Sequence, residues 1–541
     1  MGFPPTAEQS RAIAVFADFY TDSQLSIVNY QLSIRPKAVM VLRGCAGTGK
    51  TTLAAAIVRA LKALQQKMVL LAPTGRAAKV FSLYAGHPAF TIHRRIYRQR
   101  TGADPDASAF SLGFNAAQDT LFIVDEASMI SDASANSFSM AAANSSLFTL
   151  HSSLLSDLLQ FVYNGRNCRL LLIGDQAQLP PVGESESPAL SAACLRGYDL
   201  DVYEATLNEV LRQAAESGIL YNATLIRHGS PDTMAAANST LYTLHSSRAK
   251  LDSSLFTLHS SLPQIRTSGF EDVHVVPGDE LIEALATSYS RVGLDDTIVV
   301  TRSNKRANIY NEGIRRTILD REDELCRGDR LMIVKNNYYW VSFEEGGRRK
   351  EEGDYHQPHF FPHDTLPHDY PRSSSLVPPS SIIDFLANGD VAVVQRVRNV
   401  HEQHGFRFAE VTMTLPDYDD YELTATVLLD TLTSEAPALT HEQQQQLFER
   451  VMADYADVHG KAERLKRLKE DRYYNALQVK FAYAVTCHKA QGGQWAHVYV
   501  DQGYMTDDML TADYYHWLYT AFTRATEQLF LVNWPKVQLT E

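Results

Sequence analysis

The sequence predicts an α/β protein with two parallel sheets and a small β domain inserted into the second. Three observations carry this. Short, continuously apolar runs recur, each ending in polar residues, which is how parallel strands buried on both faces read. A glycine-rich loop lies between one such run and a helical pattern. A second set of apolar runs is split by a long stretch of different character.

The first set begins at Ala38–Arg43 (AVMVLR), followed by GCAGTGK and TTLAAAIVRALKAL, which reads strand, loop, helix. Met68–Ala72 (MVLLA) ends in Pro-Thr-Gly, Thr120–Val124 (TLFIV) in Asp-Glu, and Arg169–Ile173 (RLLLI) in Gly-Asp-Gln. Ligands of parallel sheets sit beyond the carboxyl ends of the strands, so these polar residues are expected to line one site. The second set comprises Thr297–Thr301, Phe481–Thr486, Val498–Asp501 and Gln528–Val532, with a helix expected over Asp513–Ala525. The insertion holds strand-like Gly328–Val334, Asn388–Arg396 and Ala409–Leu415, a polar loop from Glu344 to Pro379, and a charged, Gln-rich helical stretch from Glu442 to Glu470.

Composition bounds the function. The chain has 541 residues, 45% hydrophobic and 21% charged, enough for several cores. No apolar run is long enough to span a bilayer. MGFPPTAEQSR lacks the basic-then-apolar pattern of a secretory signal, so none is expected. The five cysteines are scattered with no CxxC pair, which argues against zinc and disulfides and for a cytoplasmic setting. The net charge of −13 on its own argues against nucleic acid. A local basic groove is compatible with an acidic exterior, and the motifs outweigh the total.

Gly44–Thr51 (GCAGTGKT) matches the phosphate-loop pattern GxxxxGK[ST]. Its glycines let backbone N–H groups of Gly44, Cys45, Ala46, Gly47, Thr48 and Gly49 face phosphate oxygens. Lys50 would neutralise phosphate charge, and Thr51, beside Thr52, would hold Mg²⁺ at a helix N-terminus. After the TLFIV strand, Asp125 is a second candidate for the metal, and Glu126 can orient or deprotonate water. Gln178 in GDQAQLPPV is a candidate sensor of the γ-phosphate or of the attacking water, held by a Pro-Pro turn.

In chain order, GCAGTGKTT, LAPTGRAA, TIHR, VDEAS, GDQAQLPPV, EVLRQ, VTCHKAQGGQ and YTAFTRA resemble the blocks of superfamily 1 helicases, specifically the RecD-like branch that moves 5′→3′. The resemblance runs over nearly the whole chain. It implies two RecA-like P-loop motor domains with ATP between them and an inserted small SH3-like β-barrel. On that basis residues 1–227 form the first motor domain, with a possible wedge insertion at 88–118. Residues 269–330 and 476–541 form the second, and 331–475 hold the barrel with its long loop and charged helices. Gln9 matches the adenine-contacting glutamine, and Arg212 and Arg524 match the arginines that reach the γ-phosphate. Such arginines contribute about 10³–10⁵ in rate. Thr74, His93, Thr486, His488 and Lys489 match positions on the single-strand path. Ala490 stands where the family often has serine, so no hydroxyl acts there. The implied partners are single-stranded DNA and a DNA fork, with RNA left open.

Other features stay outside this pattern. Met140–Ser153, Met234–Ser247 and Asp252–Ser261 are near-identical Ser-rich copies, read as inserted sequence tolerated in loops; residues 228–268 form one such insertion. His356, His359, His363 and His368 cluster in the long loop, read as solvated rather than as a metal site. Phe110 and Phe114 in the possible wedge either stack on a base at a fork or pack into the core. The leading reading is an ATP-driven DNA helicase. The alternatives are a P-loop remodeller that binds strands without unwinding them, and a subunit of a helicase–nuclease assembly.

Overall fold

The computed structural model of the chain describes residues 4–25, 37–99, 110–133, 153–210, 217–229, 263–342, 386–506 and 509–540. The Met234 and Asp252 copies, nearly all of the Met140 copy and the four loop histidines lie outside these residues. The chain divides into two compact units; one comprises Asp323–Lys480, and the other is built from the chain before and after it.

The first sheet of the larger unit contains β1 (Lys37–Gly44), β2 (Lys67–Ala72), β3 (Ala89–Thr91), β6 (Thr120–Val124), β7 (Arg169–Gly174) and β8 (Leu200–Leu207). Their order is β3-β2-β6-β7-β1-β8, all parallel. Successive side chains of a strand face opposite sides, and two cores result. Val39, Val41, Phe122, Val124, Leu170 and Leu172 pack with Leu155, Leu158 and Phe161 of helix Leu154–Asn164. Met40, Leu42, Leu121, Ile123, Leu171 and Ile173 pack on the other side, against Phe19 of α1 (Ala7–Leu25) and Leu53, Ile57 and Val58 of α2 (Lys50–Ala63). The register sets Leu71 beside Val124, Val124 beside Leu172, and Arg43 beside Gly174. The polar ends of β1, β2, β6 and β7 therefore share one edge, as expected. Strand β8 was not foreseen: LDVYEATL carries Asp201 and Glu204 at an edge and lacks a continuous apolar run.

Between β3 and β6 the chain forms a small antiparallel ribbon, β4 (Tyr97–Gln99) with β5 (Phe110–Leu112). Phe114, just past it, is 86% exposed, which removes core packing as its explanation. The side chain of Phe110 lies outside the described residues.

The second sheet orders β10 (Val273–Val276), β19 (Ala525–Val532), β18 (Trp495–Asp501), β11 (Thr297–Thr301) and β17 (Ala484–Thr486), all parallel. The short strands β9 (Ile265–Arg266) and β20 (Leu539–Thr540) pair with each other. Helix Ala512–Phe522 is buried on nearly all sides, including Tyr514, Trp517, Leu518, Tyr519 and Phe522.

The smaller unit is a closed barrel of β12 (Arg330–Ile333), β13 (Val391–Gln403), β14 (Phe406–Leu415), β15 (Tyr421–Leu428) and β16 (Leu477–Phe481). Phe406, Phe408 and Leu428 pack with Leu447, Val451, Leu465 and Leu468 of two helices, His441–Asp454 and Lys461–Lys469.

One expectation needs correction. Phe481–Thr486 is not one strand. Phe481 ends the barrel, and β17 starts only at Ala484. The buried Asn311 amide holds the break: it donates to the carbonyls of Phe481 (3.3 Å) and Ala484 (2.9 Å) and accepts from the N–H groups of Tyr483 (3.1 Å) and Ala484 (2.8 Å). The barrel thus takes in residues past 475. Glu442–Glu470 is helical, as expected, and forms two helices. The first starts at a Thr440–Gln443 capping box, and Gly460 at φ 95° precedes the second.

Residues 134–152, which hold most of one Ser-rich copy, leave and re-enter at tied points. Ser153 donates to Asp132 (2.7 Å) and caps helix Leu154–Asn164, the N–H of Leu155 donates to Ser131 (3.1 Å), and the N–H groups of Asp132 and Ala133 donate to Glu184 (both 2.8 Å). Replacing 134–152 by a short Gly-Ser linker should keep or raise the melting temperature, since closure costs about 0.6 kcal/mol less per halving of loop length. A fall of more than a few degrees in calorimetry would show that the copy belongs to the fold.

Candidate functional site

The site is built on the carboxyl edge of the first sheet. Between β1 and α2 the loop turns through Gly47 (φ 76°) and Gly49 (φ 77°), in the left-handed region that side chains disfavour. A Cβ on Gly44 would lie 2.8 Å from Lys50 Cγ and 2.9 Å from Thr48 Oγ1, so glycine is required for closeness there. Helix α2 starts with no side-chain cap and no acid in its first turn, leaving its leading N–H groups and positive dipole end for an anion. This donor set fits a phosphate group. Lys50 Nζ meanwhile donates to the carbonyl of Cys45 (2.9 Å) and lies 3.7 Å from Asp175 Oδ2. Thr51 is partly buried and Thr52 exposed in the first turn of α2.

Asp125 and Glu126 follow β6. Glu126 has φ 53° and ψ 37°, a left-handed conformation costing a non-glycine residue roughly 1–2 kcal/mol. Its N–H donates to Asp125 Oδ1 (2.9 Å). Burial and the adjacent Glu126 charge raise the Asp125 carboxyl well above the usual range, with Lys50 opposing. A divalent cation would relieve that crowding of negative charge, so the pair fits a metal-holding role.

Gln178 is 5% exposed, and its Oε1 has no hydrogen-bond partner among the described residues. An orphaned buried acceptor costs about 1–3 kcal/mol, and one beside a phosphate loop fits a group that meets a ligand or water.

Gln9 is used locally. Its Oε1 accepts from Thr6 N–H (3.1 Å), closing a capping box on α1, and its Nε2 donates to the Thr48 carbonyl (3.1 Å). A base contact by this amide requires displacing one of them. Cys45 is pushed up to about 11 by burial and then by Asp175.

The second sheet supplies the rest. Arg524 is 3% exposed, with its guanidinium donating to the carbonyls of Gly493 (3.1 Å) and Thr520 (3.0 Å) and to Thr523 Oγ1 (3.2 Å). In this conformation it is committed to its own domain. Arg212 lies outside the described residues. The strand before it is anchored, because Glu8 Oε2 accepts the N–H groups of Asn208 (2.6 Å) and Glu209 (2.7 Å).

The candidate strand-path residues fall in two groups. Thr74 caps α3 (Gly75–Ala85) by accepting from Ala77 N–H (3.2 Å). A Cβ on Gly492 would lie 3.1 Å from Thr74 Oγ1 and 3.0 Å from Ala77 Cβ, so the VTCHKAQGG segment reaches Thr74 from the second sheet. Arg76 strengthens this meeting, donating to the Gln494 carbonyl (3.0 Å) and stacking over Trp495 (4.2 Å). Thr486 precedes the short helix Cys487–Ala490, which carries exposed His488 and partly buried Lys489. Partial desolvation lowers His488, with Asp513 opposing. His93 follows β3, whose register sets Thr91 beside Ala72, so it leaves the same sheet edge as Thr74; burial lowers its pKa, and its ring lies 5.5 Å from that of Tyr97.

Sequence reasoning passed over Asp175 and Tyr519. Asp175 is 2% exposed and accepts the Ala177 N–H (3.0 Å) and the Tyr519 hydroxyl (2.7 Å). Both lie inside motif blocks, GDQ and YTAFTRA, and that was their available signal.

Comparison with known proteins agrees with these motifs. An AAA domain family matches residues 20–150, and a UvrD-like helicase C-terminal domain family matches residues 481–532. An ATP-dependent RecD2 DNA helicase of Deinococcus radiodurans is 33% identical over 191 residues, 35% of this chain and 22% of that protein. The chain thus matches about a fifth of that relative's length. Solved structures similar to it include a Pif1 helicase from Bacteroides in complex with ADP-AlF3 and ssDNA (13% identity, TM-score 0.41, covering 100% of this chain and 95% of that one). Another is Pif1 from Candida albicans (15% identity, TM-score 0.34, 99% and 96%). The likeness to RecD-like superfamily 1 proteins read from the motifs stands.

Gly44→Ala should weaken ADP binding at least about tenfold, because the new methyl displaces Lys50, a loss of about 1.4 kcal/mol or more. Unchanged affinity in a calorimetric titration would mean the loop opens without cost.

Proposed function

We propose, starting from the RecD-like superfamily 1 character of this chain, that it is an ATP-dependent DNA helicase that moves 5′→3′ along single-stranded DNA. The observation that carries this is the joining of the phosphate-loop edge to the second sheet. Residues of YTAFTRA and VTCHKAQGGQ grip the GDQAQL segment: Thr520 Oγ1 accepts from Leu179 N–H (2.8 Å), and Gln491 Nε2 donates to its carbonyl (2.7 Å). Gln491 belongs to the same short segment as His488 and Lys489. The residue after Gln178 is thus hydrogen-bonded to a segment suited to backbone phosphates, which position a strand without reading its sequence.

Bound Mg-ATP would supply the phosphoanhydride whose hydrolysis drives movement. Lys50 and the loop N–H groups would hold the phosphates, Thr51 and Asp125 would hold the metal, Glu126 would take the proton from water, and Gln178 would orient that water. Arg212 and Arg524 stabilise the transition-state charge, which for Arg524 requires release from Gly493. Thr74, His93, Thr486, His488 and Lys489 carry the strand. Domain limits follow the same reading: first motor domain to residue 227, barrel inserted in the second.

Turnover measured with and without single-stranded DNA, and with RNA, tests the reading. DNA should stimulate the rate, Lys50→Ala should abolish it, and Glu126→Gln should keep ATP binding while losing hydrolysis. Duplexes with a 5′ tail should be unwound. Unwinding confined to 3′-tailed duplexes would overturn the direction, and hydrolysis by Glu126→Gln at the parent rate would overturn its role.

Phe114 is proposed to meet the fork. Stacking on a base is worth about 1–3 kcal/mol, comparable to a mean DNA stacking step of roughly 1.4 kcal/mol. Phe114→Ala should lower unwinding several-fold and leave DNA-stimulated ATPase and melting temperature near the parent values, since the ring is exposed. Parallel loss of all three would dispose of the wedge.

A further inference from the structure

The short helix Ile92–Ile96 and the ribbon after it gather positive charge that the nucleotide site does not use. Arg94 lies over the Phe90 ring, 5.5 Å from its centre. Arg95 is placed differently. It is half-buried, and its Nε is shut from water with no hydrogen-bond partner among the described residues. Burial and then the Arg98 charge lower its guanidinium, and both work against the cation. Arg98 is exposed on β4 and spends Nη1 on the carbonyls of Tyr97 (2.9 Å), Arg94 (3.3 Å) and Arg95 (3.5 Å). The buried acid Asp157 accepts the Tyr97 hydroxyl (2.6 Å). The ribbon brings Phe114 to the same place. Arg98 pairs with Ser111 across it. The N–H of Gly113 donates to the Ile96 carbonyl (2.6 Å), and a Cβ on Gly113 would lie 3.3 Å from Arg98 Cγ and 3.8 Å from Arg98 Cζ. The next residue is Phe114, 86% exposed. Two guanidinium groups thus lie at the foot of an exposed aromatic.

We propose that Arg95 and Arg98 bind a backbone phosphate of DNA at the fork, next to the base that Phe114 meets. The inference rests on the helicase reading above and deepens it. A like charge nearby disfavours a charged group, and an anion between the two arginines reverses that cost. A guanidinium offers a planar fork of donors that matches two phosphate oxygens. Such a contact carries no base information and fixes where the duplex end rests. An aromatic alone can slide from base to base, because every base has a π-face. A phosphate held beside it sets the position at which the stack forms. His93, on the same short helix, is proposed to carry the strand, so the arginine pair continues that path to the ribbon.

The test measures how salt weakens binding of the full chain to a forked duplex and to a plain single strand. Each phosphate contact adds about 0.7 for single strands, or about 0.9 for duplex, to the slope of log K against log salt. Arg95→Gln combined with Arg98→Gln should lower the fork slope by about 0.7–0.9 and weaken fork binding several-fold. The single-strand slope should change by less than half as much. Arg95→Lys with Arg98→Lys keeps both charges and should keep most of the fork slope, so the loss follows charge and not shape. The melting temperature of the Gln variant should not fall, since an unpartnered charge is removed. An unchanged fork slope would overturn the proposal and leave Arg95 a packing residue. An equal fall on both substrates would also overturn it, placing the contact on the strand path. Arg98 is exposed, so Arg98→Gln alone carries the test if Arg95→Gln does not fold. A parent chain that binds neither DNA fails the helicase reading itself, and the proposal with it. If Phe114→Ala unwinds at the parent rate while the arginine variants lose fork slope, only the role of Phe114 falls.

Discussion

The buried carboxylate of Asp175 is the point on which the site depends. It follows β7, where the register of the parallel sheet sets Gly174 beside Arg43 and so beside the phosphate loop. It takes the Tyr519 hydroxyl from one side and faces Lys50 on the other. An anion this buried is costly unless paired, and its partners are the phosphate loop's own lysine and a helix of the second sheet. One charge therefore makes the two sheets answer to each other. Lys50 rests on the Cys45 carbonyl (2.9 Å) and 3.7 Å from Asp175, so its charge meets acceptors of the loop and of the strand end beside it.

Much of this was legible in the sequence, for reasons that can be named. Strands β1, β2, β6, β7 and β11 are continuously apolar because both faces are covered, and continuity is a strong signal. The loop Gly44–Thr51 was legible because backbone geometry demands glycine at fixed spacing. Strand β8 was not, because an edge strand with charged residues gives no such run. The break at Phe481–Ala484 was hidden because Asn311, which makes it, is 170 residues away in sequence from Phe481. Tertiary partners of this kind leave no local trace. The same holds for Tyr519, whose block was visible while the atom it contacts was not.

The acidic total and the proposed nucleic-acid partner also become compatible at the level of residues. Arg76 spends its charge on a carbonyl and on the face of Trp495, and Arg524 on carbonyls of its own domain. Their work is structural in this conformation. A strand path needs only a few well-aimed donors, and His488 and Lys489 occupy a single turn of helix between β17 and β18.

The cysteine in the phosphate loop has a chemical consequence. The thiolate is the reactive form of cysteine, and burial beside Asp175 keeps the Cys45 thiol protonated up to about pH 11. Cys194 is likewise pushed up to about 11 and Cys487 to about 12, both chiefly by burial, and burial raises Cys168 as well. Four of the five sulfurs are thus poor nucleophiles at neutral pH. A cysteine introduced on an exposed surface would hold more thiolate at neutral pH and take a maleimide dye ahead of these four.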